Sequence, residues 1–417
     1  MFAIDPLLDG KLLWTPLIIV VVKVLIIFVV GLIGTMFMVW FERKVVSGMQ
    51  NRVGPNKAGP FGLLQTLADG IKSFFKETFT PSKSDPFLYK LAPYLMFVPA
   101  FLIWAVLPLG GDFSDGKDGT ITIFGEVTRV QLADPQLGIL LVLMCSSIAV
   151  YGVMLAGWAS GSKYPLLGAV RGSAQMISYE AALGLSLAAV LLSSGSLSTA
   201  GIVGSQNDLA DWNIVATGVV PFVIFVIAVT AELNRPPFDL VEAEQELVSG
   251  FNTEYGGIGF ALFFLAEFMN VITMSGIVVT LFLGGPQPLM LGDLNIFGWA
   301  GAAGGTLWFV LKLFLFLYMF VWFRATLPRL RYDQLMDLGW KVMIPMSLGW
   351  FLLLAALREF SGTSDRFIDP DALRVAAIAV AVGVVAVGLF LAALKVSQRN
   401  RTHVVGETPL DKKGAPV

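Results

Sequence analysis

Long apolar segments recur along the whole chain and restrict its fold more than any other feature. A run of about 18 or more mostly apolar residues is long enough to cross a bilayer as a helix. Nine such runs are present, at approximately residues 16–41, 90–108, 136–157, 164–192, 213–232, 256–283, 304–323, 340–357 and 372–394. Since helices satisfy their own backbone hydrogen bonds in lipid, we predict an all-α polytopic membrane protein with about nine transmembrane helices.

The composition excludes an ordinary soluble enzyme. Charged residues make up only 14% of the chain and hydrophobic residues 56%, whereas a soluble domain carries about 25% charged residues. The formal net charge of -2 gives no reason to expect a nucleic-acid partner.

The distribution of basic residues predicts the orientation in the membrane. Most of the 28 Lys and Arg residues lie in loops on one side, and cytoplasmic loops carry the excess of Lys and Arg. We therefore expect the amino terminus outside and the carboxyl terminus in the cytoplasm. The basic cluster Arg43-Lys44 follows the first span rather than preceding it, so we expect this span to be retained and not cleaved as a signal peptide.

Few side chains suited to redox cofactors are present. The chain has a single cysteine, Cys145, inside an apolar run, and a single histidine, His403, in a polar tail. Because an iron–sulfur cluster needs about four thiolates and a zinc site about three or four ligands, we expect this chain to bind no metal and no redox cofactor. Any electron transfer in which it takes part would use a cofactor held by another chain.

The loop between the first two spans contains a second kind of apolar pattern. Over residues 62–79, apolar side chains recur at helical spacing, and polar side chains fill the opposite face. This pattern is typical of an amphipathic helix lying in the plane of the membrane interface. Two interpretations stay open, because its apolar face could pack against the bundle or could face lipid or a ligand.

Charged side chains inside apolar spans are candidates for function, because each costs about 2.5–3.5 kcal/mol at the bilayer centre. Glu180 and Glu267 lie near the middles of their spans, while Lys23 and Lys312 lie nearer the outer ends, where a long side chain can also extend to water. The fourth span carries further polar residues, including Gln175 and Ser178, so we expect it to line a wet space.

The loop after the fifth span is acidic on a side that is otherwise basic. One cation, Arg235, accompanies six carboxylates, which are Glu232, Asp239, Glu242, Glu244, Glu246 and Glu254. Coupled carboxylates of this kind are suited to taking up and releasing protons. The alternatives are a solvated acidic loop or a docking surface for a basic partner.

Two functions from different classes fit these features. The chain could be a proton-coupled transporter with a substrate site at mid-membrane. It could equally be a membrane protein that shelters a lipophilic substrate beside a partner's redox centre. Composition and pattern leave both open.

Four segments resemble one known family. They are residues 42–77, with Glu42-Arg43-Lys44 and Gln50-Asn51-Arg52-Val53-Gly54-Pro55-Asn56; residues 171–180; residues 232–250, with Glu232-Leu233-Asn234-Arg235-Pro236-Pro237-Phe238-Asp239; and residues 324–335. These segments are similar to those of the quinone-site membrane subunit of respiratory complex I, the proton-translocating NADH:quinone oxidoreductase. A membrane-bound hydrogenase complex has a related anchoring subunit, which remains an alternative.

The resemblance implies a division of the chain. Residues 1–358 would form the family's membrane domain, with eight spans, the amphipathic helix at 62–79 and the acidic cytoplasmic loop at 233–255. Residues 359–394 would add an extra transmembrane helix, and residues 395–417 a disordered cytoplasmic tail. The expected location is the bacterial plasma membrane.

The resemblance also implies a site. In the family this subunit forms much of the tunnel that brings quinone, the substrate, to the junction with a peripheral arm whose subunits hold FMN and iron–sulfur clusters. Residues expected at the tunnel or junction are Arg43, Arg52, Asp69, Lys72, Phe74 and Phe75. Residues expected in a proton relay are Glu42, Glu180, Glu232, Asp239, Glu242, Glu244, Glu246, Glu254 and Glu267. No residue is expected to make or break bonds, and the implied partners are other complex I subunits, quinone and membrane lipids.

Overall fold

The computed structural model describes residues 5, 7, 14–111, 113, 119–207, 209–241, 248–289 and 302–361. The helices are α1 (Trp14–Met49), α2 (Gln65–Phe75), α3 (Pro86–Trp104), α4 (Gly138–Ala159), α5 (Lys163–Ser194), α6 (Thr199–Gly204), α7 (Asn213–Ala216), α8 (Val219–Glu232), α9 (Gly257–Phe282), α10 (Ala302–Thr326), α11 (Tyr332–Asp337) and α12 (Ile344–Ser361). A π-helical segment, Leu338–Met343, joins α11 to α12, and short 3₁₀ turns occupy Pro60–Gly62 and Gly250–Asn252.

Seven helices of the described chain are long and apolar enough to cross a membrane, which confirms an all-α multi-pass membrane protein. They are α1, α3, α4, α5, α9, α10 and the continuous helix from α11 into α12. The fifth predicted span, 213–232, is divided between α7 and α8, and Gly218 lies between them with a φ of 77°. The ninth predicted span and the tail at 395–417 lie outside the described residues.

Helix α9 forms the centre of the bundle, and α1 lies at its edge. In their most apolar stretches, 78% of α9 is buried but only 11% of α1. Glycines allow α4 to approach its neighbours: a Cβ at Gly152 would lie 3.0 Å from the backbone nitrogen of Met96, and one at Gly157 would lie 2.5 Å from the carbonyl oxygen of Pro165. The backbones of α3 and α5 therefore both approach α4 closely, and α3 in turn packs against α9.

A two-stranded hairpin interrupts the helical pattern. Strands β1 (Thr120–Ile123) and β2 (Glu126–Arg129) pair antiparallel, and both turn residues, Phe124 and Gly125, have positive φ angles. This hairpin was not predicted from the sequence, because the alternation of side chains over four-residue strands is too short to stand out. It is small enough to leave the predicted fold class intact.

The hairpin also supplies a partner for the charged residue of the first span. The Lys23 ammonium lies 2.5 Å from a carboxylate oxygen of Asp5 and donates to the Thr128 hydroxyl at 2.9 Å. Lys23 is therefore paired inside the protein, and the interpretation that it simply extends to water is wrong for this structure.

Within residues 62–79, the segment predicted to be an amphipathic helix, the structure has the helix α2, and the backbone becomes extended at Lys76. Its apolar residues Leu67, Ile71, Phe74 and Phe75 are exposed, with Phe75 88% accessible. Because α2 also contacts α1 and α9, both the packing interpretation and the lipid- or ligand-facing interpretation stay open. Its position in the membrane interface stays a prediction.

Candidate functional site

Arg235 joins two carboxylates from different helices, the buried Glu42 and the partly buried Glu267. One guanidinium nitrogen donates to Glu42 of α1 at 2.9 Å, and another lies 3.2 Å from a carboxylate oxygen of Glu267 in α9. Arg324, in the last turn of α10, forms an ion pair with the other oxygen of Glu42. We call Glu42, Arg235, Glu267 and Arg324 the Arg235 cluster.

A polar side chain of the fourth span holds the loop that carries Arg235. The Gln175 amide is completely buried and donates to the carbonyls of Ala231 at 2.7 Å and Phe238 at 2.8 Å. The Arg235 guanidinium also lies 4.7 Å from the centre of the Phe268 ring, a favourable cation–π distance. The polar face of α5, which the sequence suggested would line a wet space, binds protein groups at Gln175.

The charges of the Arg235 cluster balance when both carboxylates are ionised, since two guanidiniums then face two carboxylates. The position of Arg235 depends strongly on these two carboxylates, because its Nε and Nη2 are buried without a well-aligned hydrogen bond. A proton gained at Glu42 or Glu267 would remove half of the negative charge that holds Arg235 in place. The cluster can therefore respond to a change in charge nearby.

Two consecutive hydroxyls of α4 contact two further acids, of which Glu232 is buried and Glu180 is partly exposed. Ser146 donates to Glu232 at the end of α8, and Ser147 donates to Glu180 in α5. We call Ser146 and Ser147 the serine pair. The structure thus arranges four predicted relay residues in two groups, with Glu42 and Glu267 at the Arg235 cluster and Glu180 and Glu232 at the serine pair.

Asp239 lies nearer the surface. It forms an ion pair with Arg329 at 2.7 Å, and the backbone nitrogen of Leu330 donates to the Pro237 carbonyl at 2.9 Å. These contacts tie the start of the acidic loop to the segment after α10. Glu242, Glu244 and Glu246 lie outside the described residues.

Glu254 is held by its backbone. The Tyr89 hydroxyl donates to the Glu254 carbonyl at 2.7 Å, and the Tyr255 hydroxyl donates to the Tyr89 carbonyl at 2.9 Å. The two rings stack with centres 4.1 Å apart. Burial, with a smaller contribution from Tyr89, raises the pKa of Tyr255, so its hydroxyl remains a donor.

A cavity of about 450 Å³ lies beside the Arg235 cluster. Its lining residues are Glu42, Arg43, Val46, Ser47, Arg52, Val53, Gly54, Pro55 and Arg324. Two predicted tunnel residues, Arg43 and Arg52, are therefore part of its wall. A third, Asp69, binds Arg43 at 2.9 Å. The remaining three, Lys72, Phe74 and Phe75, lie on the exposed surface of α2 and are not among the lining residues.

Lys312 occupies a different environment. Its ammonium donates to the carbonyls of Leu283 at 2.6 Å, Gly285 at 3.0 Å and Gln287 at 2.7 Å, and it lies 4.5 Å from the centre of the Trp212 ring. We call this arrangement the Lys312 site. Lys312 points into the protein here, so the interpretation that it extends to water is wrong for this structure.

Several site residues were not predicted. Arg324, Ser146 and Ser147 were absent from the expected site, and Arg235 was noted only as the lone cation of the acidic loop. Two adjacent serines inside an apolar span were a usable signal, but their partners lie far away along the chain. Within the part of the chain that the structure describes, no group of three or more His, Cys, Asp or Glu residues could hold a metal ion.

Comparison with known proteins identifies the family. The family model described as NADH dehydrogenase matches residues 22–355. A protein of Frankia alni, named as the H subunit of NADH-quinone oxidoreductase, is 50% identical over 353 residues, covering 84% of this chain and 75% of the relative. Proteins with the same name from Streptomyces avermitilis and Cutibacterium acnes are each 48% identical, covering 84% and 82% of this chain and 75% and 78% of the relatives.

These matches confirm the resemblance that the four segments suggested. The matched residues extend over nearly all of the first eight predicted spans and include every residue of the Arg235 cluster and the serine pair. The chain belongs to the NADH dehydrogenase family.

Proposed function

We propose that this chain is the H subunit of a proton-pumping NADH-quinone oxidoreductase, in which it binds quinone and passes the effect of quinone reduction to buried carboxylates. It carries no redox centre in this proposal, and electrons arrive from FMN and iron–sulfur clusters in partner subunits. The names of its relatives favour this role over a hydrogenase anchor or a stand-alone transporter.

One observation carries the proposal: Glu42 belongs both to the wall of the cavity and to the Arg235 cluster. Its carboxylate lines the cavity beside Arg43 and Arg52, while its oxygens bind Arg235 and Arg324. Reducing a neutral quinone to a neutral quinol takes up two protons with two electrons, so the charge near the cavity changes when the electrons arrive before the protons or when nearby groups supply the protons. At low local dielectric, such a change acts strongly on a carboxylate a few ångströms away.

The proposed quinone path runs from the exposed apolar side chains of α2 to this cavity. Phe74 and Phe75 would meet the isoprenoid tail near the entrance, with Lys72 and Asp69 on the polar side of the same helix. Arg43 and Arg52 would lie at the junction with the peripheral arm. This assignment is supported by the ion pair of Arg43 with Asp69, which links α2 to the wall of the cavity.

The proposed relay begins at Glu42 and continues through Arg235 to Glu267. Glu180 and Glu232, held by the serine pair, would pass the change deeper into the bundle. Asp239, Glu254 and the acidic residues Glu242, Glu244 and Glu246 would exchange protons at the loop. A change of charge at one carboxylate shifts its neighbours, so no bond-making residue is required in this chain.

The proposed setting is the bacterial plasma membrane, with the amino terminus outside and the carboxyl terminus in the cytoplasm. The partners would be the quinone-site and terminal-cluster subunits of the peripheral arm, the small subunits of the membrane arm, and lipids. Mild-detergent purification with mass spectrometry and tests for flavin, iron–sulfur and nickel would check this. Nickel without an NADH-oxidising module would support the hydrogenase relative, and a chain without cofactor-bearing partners would support a transporter.

The decisive variant is Glu42→Gln in the whole complex. We expect NADH-to-quinone turnover and proton pumping to fall at least several-fold, while NADH oxidation with an artificial acceptor is retained, because that reaction does not need the quinone cavity. Glu126→Gln in the hairpin is a control that removes a carboxylate that does not line the cavity. Normal quinone turnover in Glu42→Gln would contradict the proposal, and equal loss of both activities would indicate failed assembly.

The acidic loop needs its own test. Replacing Glu244 or Glu246 with Gln should impair quinone-linked turnover far more than electron transfer to an artificial acceptor. If both variants pump normally, the acidic loop has no part in the proposed relay, although the role of Glu42 would stand.

A further inference from the structure

The serine pair is unusual because two adjacent side chains of one helix contact carboxylates on two others. Successive residues of an α-helix point about 100° apart, so Ser146 and Ser147 face different neighbours of α4. Ser146 reaches Glu232 of α8, and Ser147 reaches Glu180 of α5. Within the described residues, neither carboxylate forms an ion pair, and each accepts a hydrogen bond from one of the two hydroxyls.

The two serines differ in the acceptors available to them. The Ser147 hydroxyl lies within reach of two acceptors, the Glu180 carboxylate and the backbone carbonyl of Leu143 at 3.0 Å. A hydroxyl has one hydrogen, so it can donate to only one of them at a time. When Glu180 is ionised, Ser147 would donate to the carboxylate. When Glu180 is protonated, the acid would donate to Ser147, whose hydroxyl could then turn to Leu143.

Ser146 holds Glu232 in a more restricted environment. The second oxygen of Glu232 is buried without a hydrogen-bond partner in the protein. The narrow space of about 10 Å³ beside it is walled by Leu183, Phe225 and Ile277, among other apolar residues, and its polar lining consists of Ser146 and Glu232. A buried water needs two to four polar partners. This space is therefore poorly suited to holding a water that could replace Ser146 as the donor to Glu232.

We propose that Ser146 and Ser147 are positioning residues for the two relay carboxylates, Ser147 for Glu180 and Ser146 for Glu232. When Glu180 gains or loses a proton, the Ser147 hydroxyl rotates between its two acceptors and the backbone does not move. Ser146 keeps the Glu232 carboxylate in a fixed orientation. This inference rests on the proposed function, because it concerns the relay in which Glu180 and Glu232 take part. Neither serine makes or breaks a covalent bond in this role.

The test compares Ser147→Ala and Ser146→Ala in the whole complex with a buried control. Ser186→Ala is suitable, because the Ser186 hydroxyl is buried and donates to a backbone carbonyl, that of Leu183, at 2.8 Å. We expect either relay variant to lower quinone-linked proton pumping by about ten-fold or more, the factor expected when a hydrogen bond to a charged group is lost. Electron transfer from NADH to an artificial acceptor should persist, and the control should pump normally.

Conservative variants separate positioning from packing. Ser147→Thr keeps the hydroxyl and should restore pumping, whereas Ser147→Cys keeps a similar volume with a weak donor and should not. Infrared difference spectra provide a second measurement, because loss of the serine should shift the carbonyl stretch of the protonated Glu180 carboxyl. Normal pumping with an unshifted band in Ser147→Ala would overturn the inference, as would equal pumping by the Cys and Thr variants.

Failure of this inference is distinguishable from failure of the proposed function. If Glu180→Gln and Glu232→Gln impair pumping but both alanine variants pump normally, the serine inference alone is wrong. If the two glutamine variants also pump normally, these carboxylates have no part in a relay, and the proposed function loses this part of its path.

Discussion

The Lys312 site and the Arg235 cluster both bury cations, but they use them differently. Lys312 directs its three N–H donors to three backbone carbonyls that follow the end of α9. Carbonyl groups do not titrate, so nothing in this set of acceptors can change its charge. Arg235 instead binds two carboxylates from two helices, and either of them can gain or lose a proton.

The difference indicates separate purposes for the two regions. A cation at the carboxyl end of a helix satisfies carbonyls that have no partner within the helix and interacts favourably with the helix dipole. The Lys312 site is therefore suited to closing one end of the bundle. The Arg235 cluster is suited to coupling, because its stability depends on the charge state of its members.

The largest effect on stability is expected for Lys312→Met. This change leaves three carbonyls without their donor, and each buried orphaned acceptor costs about 1–3 kcal/mol. We expect the chain to be lost from the purified complex at a clearly lower temperature, while quinone turnover per assembled complex stays near normal. Lys341→Met is a control, because Lys341 is exposed and pairs with Asp337 on the surface. Unchanged heat resistance would mean that the Lys312 site contributes nothing to closing the bundle.

A smaller loss of stability, but a larger loss of activity, is expected for Arg235→Gln. Removing one partner of a buried charge pair costs about 3–5 kcal/mol, and here two carboxylates would lose their shared cation. Heat resistance of the complex and NADH-to-quinone turnover should both fall. Adding Glu267→Gln to this variant should recover part of the heat resistance but not the turnover. Recovery of both would show that the cluster, like the Lys312 site, only holds the bundle together.

The smallest effect on stability is expected for Arg43→Gln. The pair Arg43–Asp69 is more than a third exposed on both sides, and exposed pairs contribute only about 0–1 kcal/mol. We expect normal heat resistance but a raised KM for quinone, because Arg43 lines the cavity. Asp69→Asn is the matched change on the other side of the pair. An unchanged KM in both variants would remove this pair from the proposed quinone path.

Much of the fold was predictable because it depends on local chemistry. Apolar runs of sufficient length predicted the long helices, and the helical spacing of apolar residues over 62–79 predicted a helix where α2 lies. The division of the fifth span was not predicted, because hydropathy averages over the break at Gly218. The hairpin was missed for a related reason, since its stability comes from pairing and from contacts such as Thr128 with Lys23.

Individual residues of the candidate site could be predicted from the sequence, but the contacts between them could not. Glu180 and Glu267 were noticeable because charged residues are rare inside apolar spans, Glu232 because it begins the acidic loop, and Glu42 through the family resemblance. Their partners were not noticeable, since Glu42 and Arg235 are 193 residues apart and Ser146 and Glu232 are 86 apart. Nothing in local spacing indicates which cation meets which acid.

The sequence by itself determined that this protein spans a membrane, which residues are costly to bury there, and to which family it belongs. These properties follow from side-chain chemistry and from segments read one at a time. Only the tertiary structure decided that Arg235 is shared by two acids, that Lys312 binds carbonyls, and that neighbouring serines face different carboxylates. Those pairings depend on how the helices pack, because the energy of a buried charge is set by the groups that surround it in space.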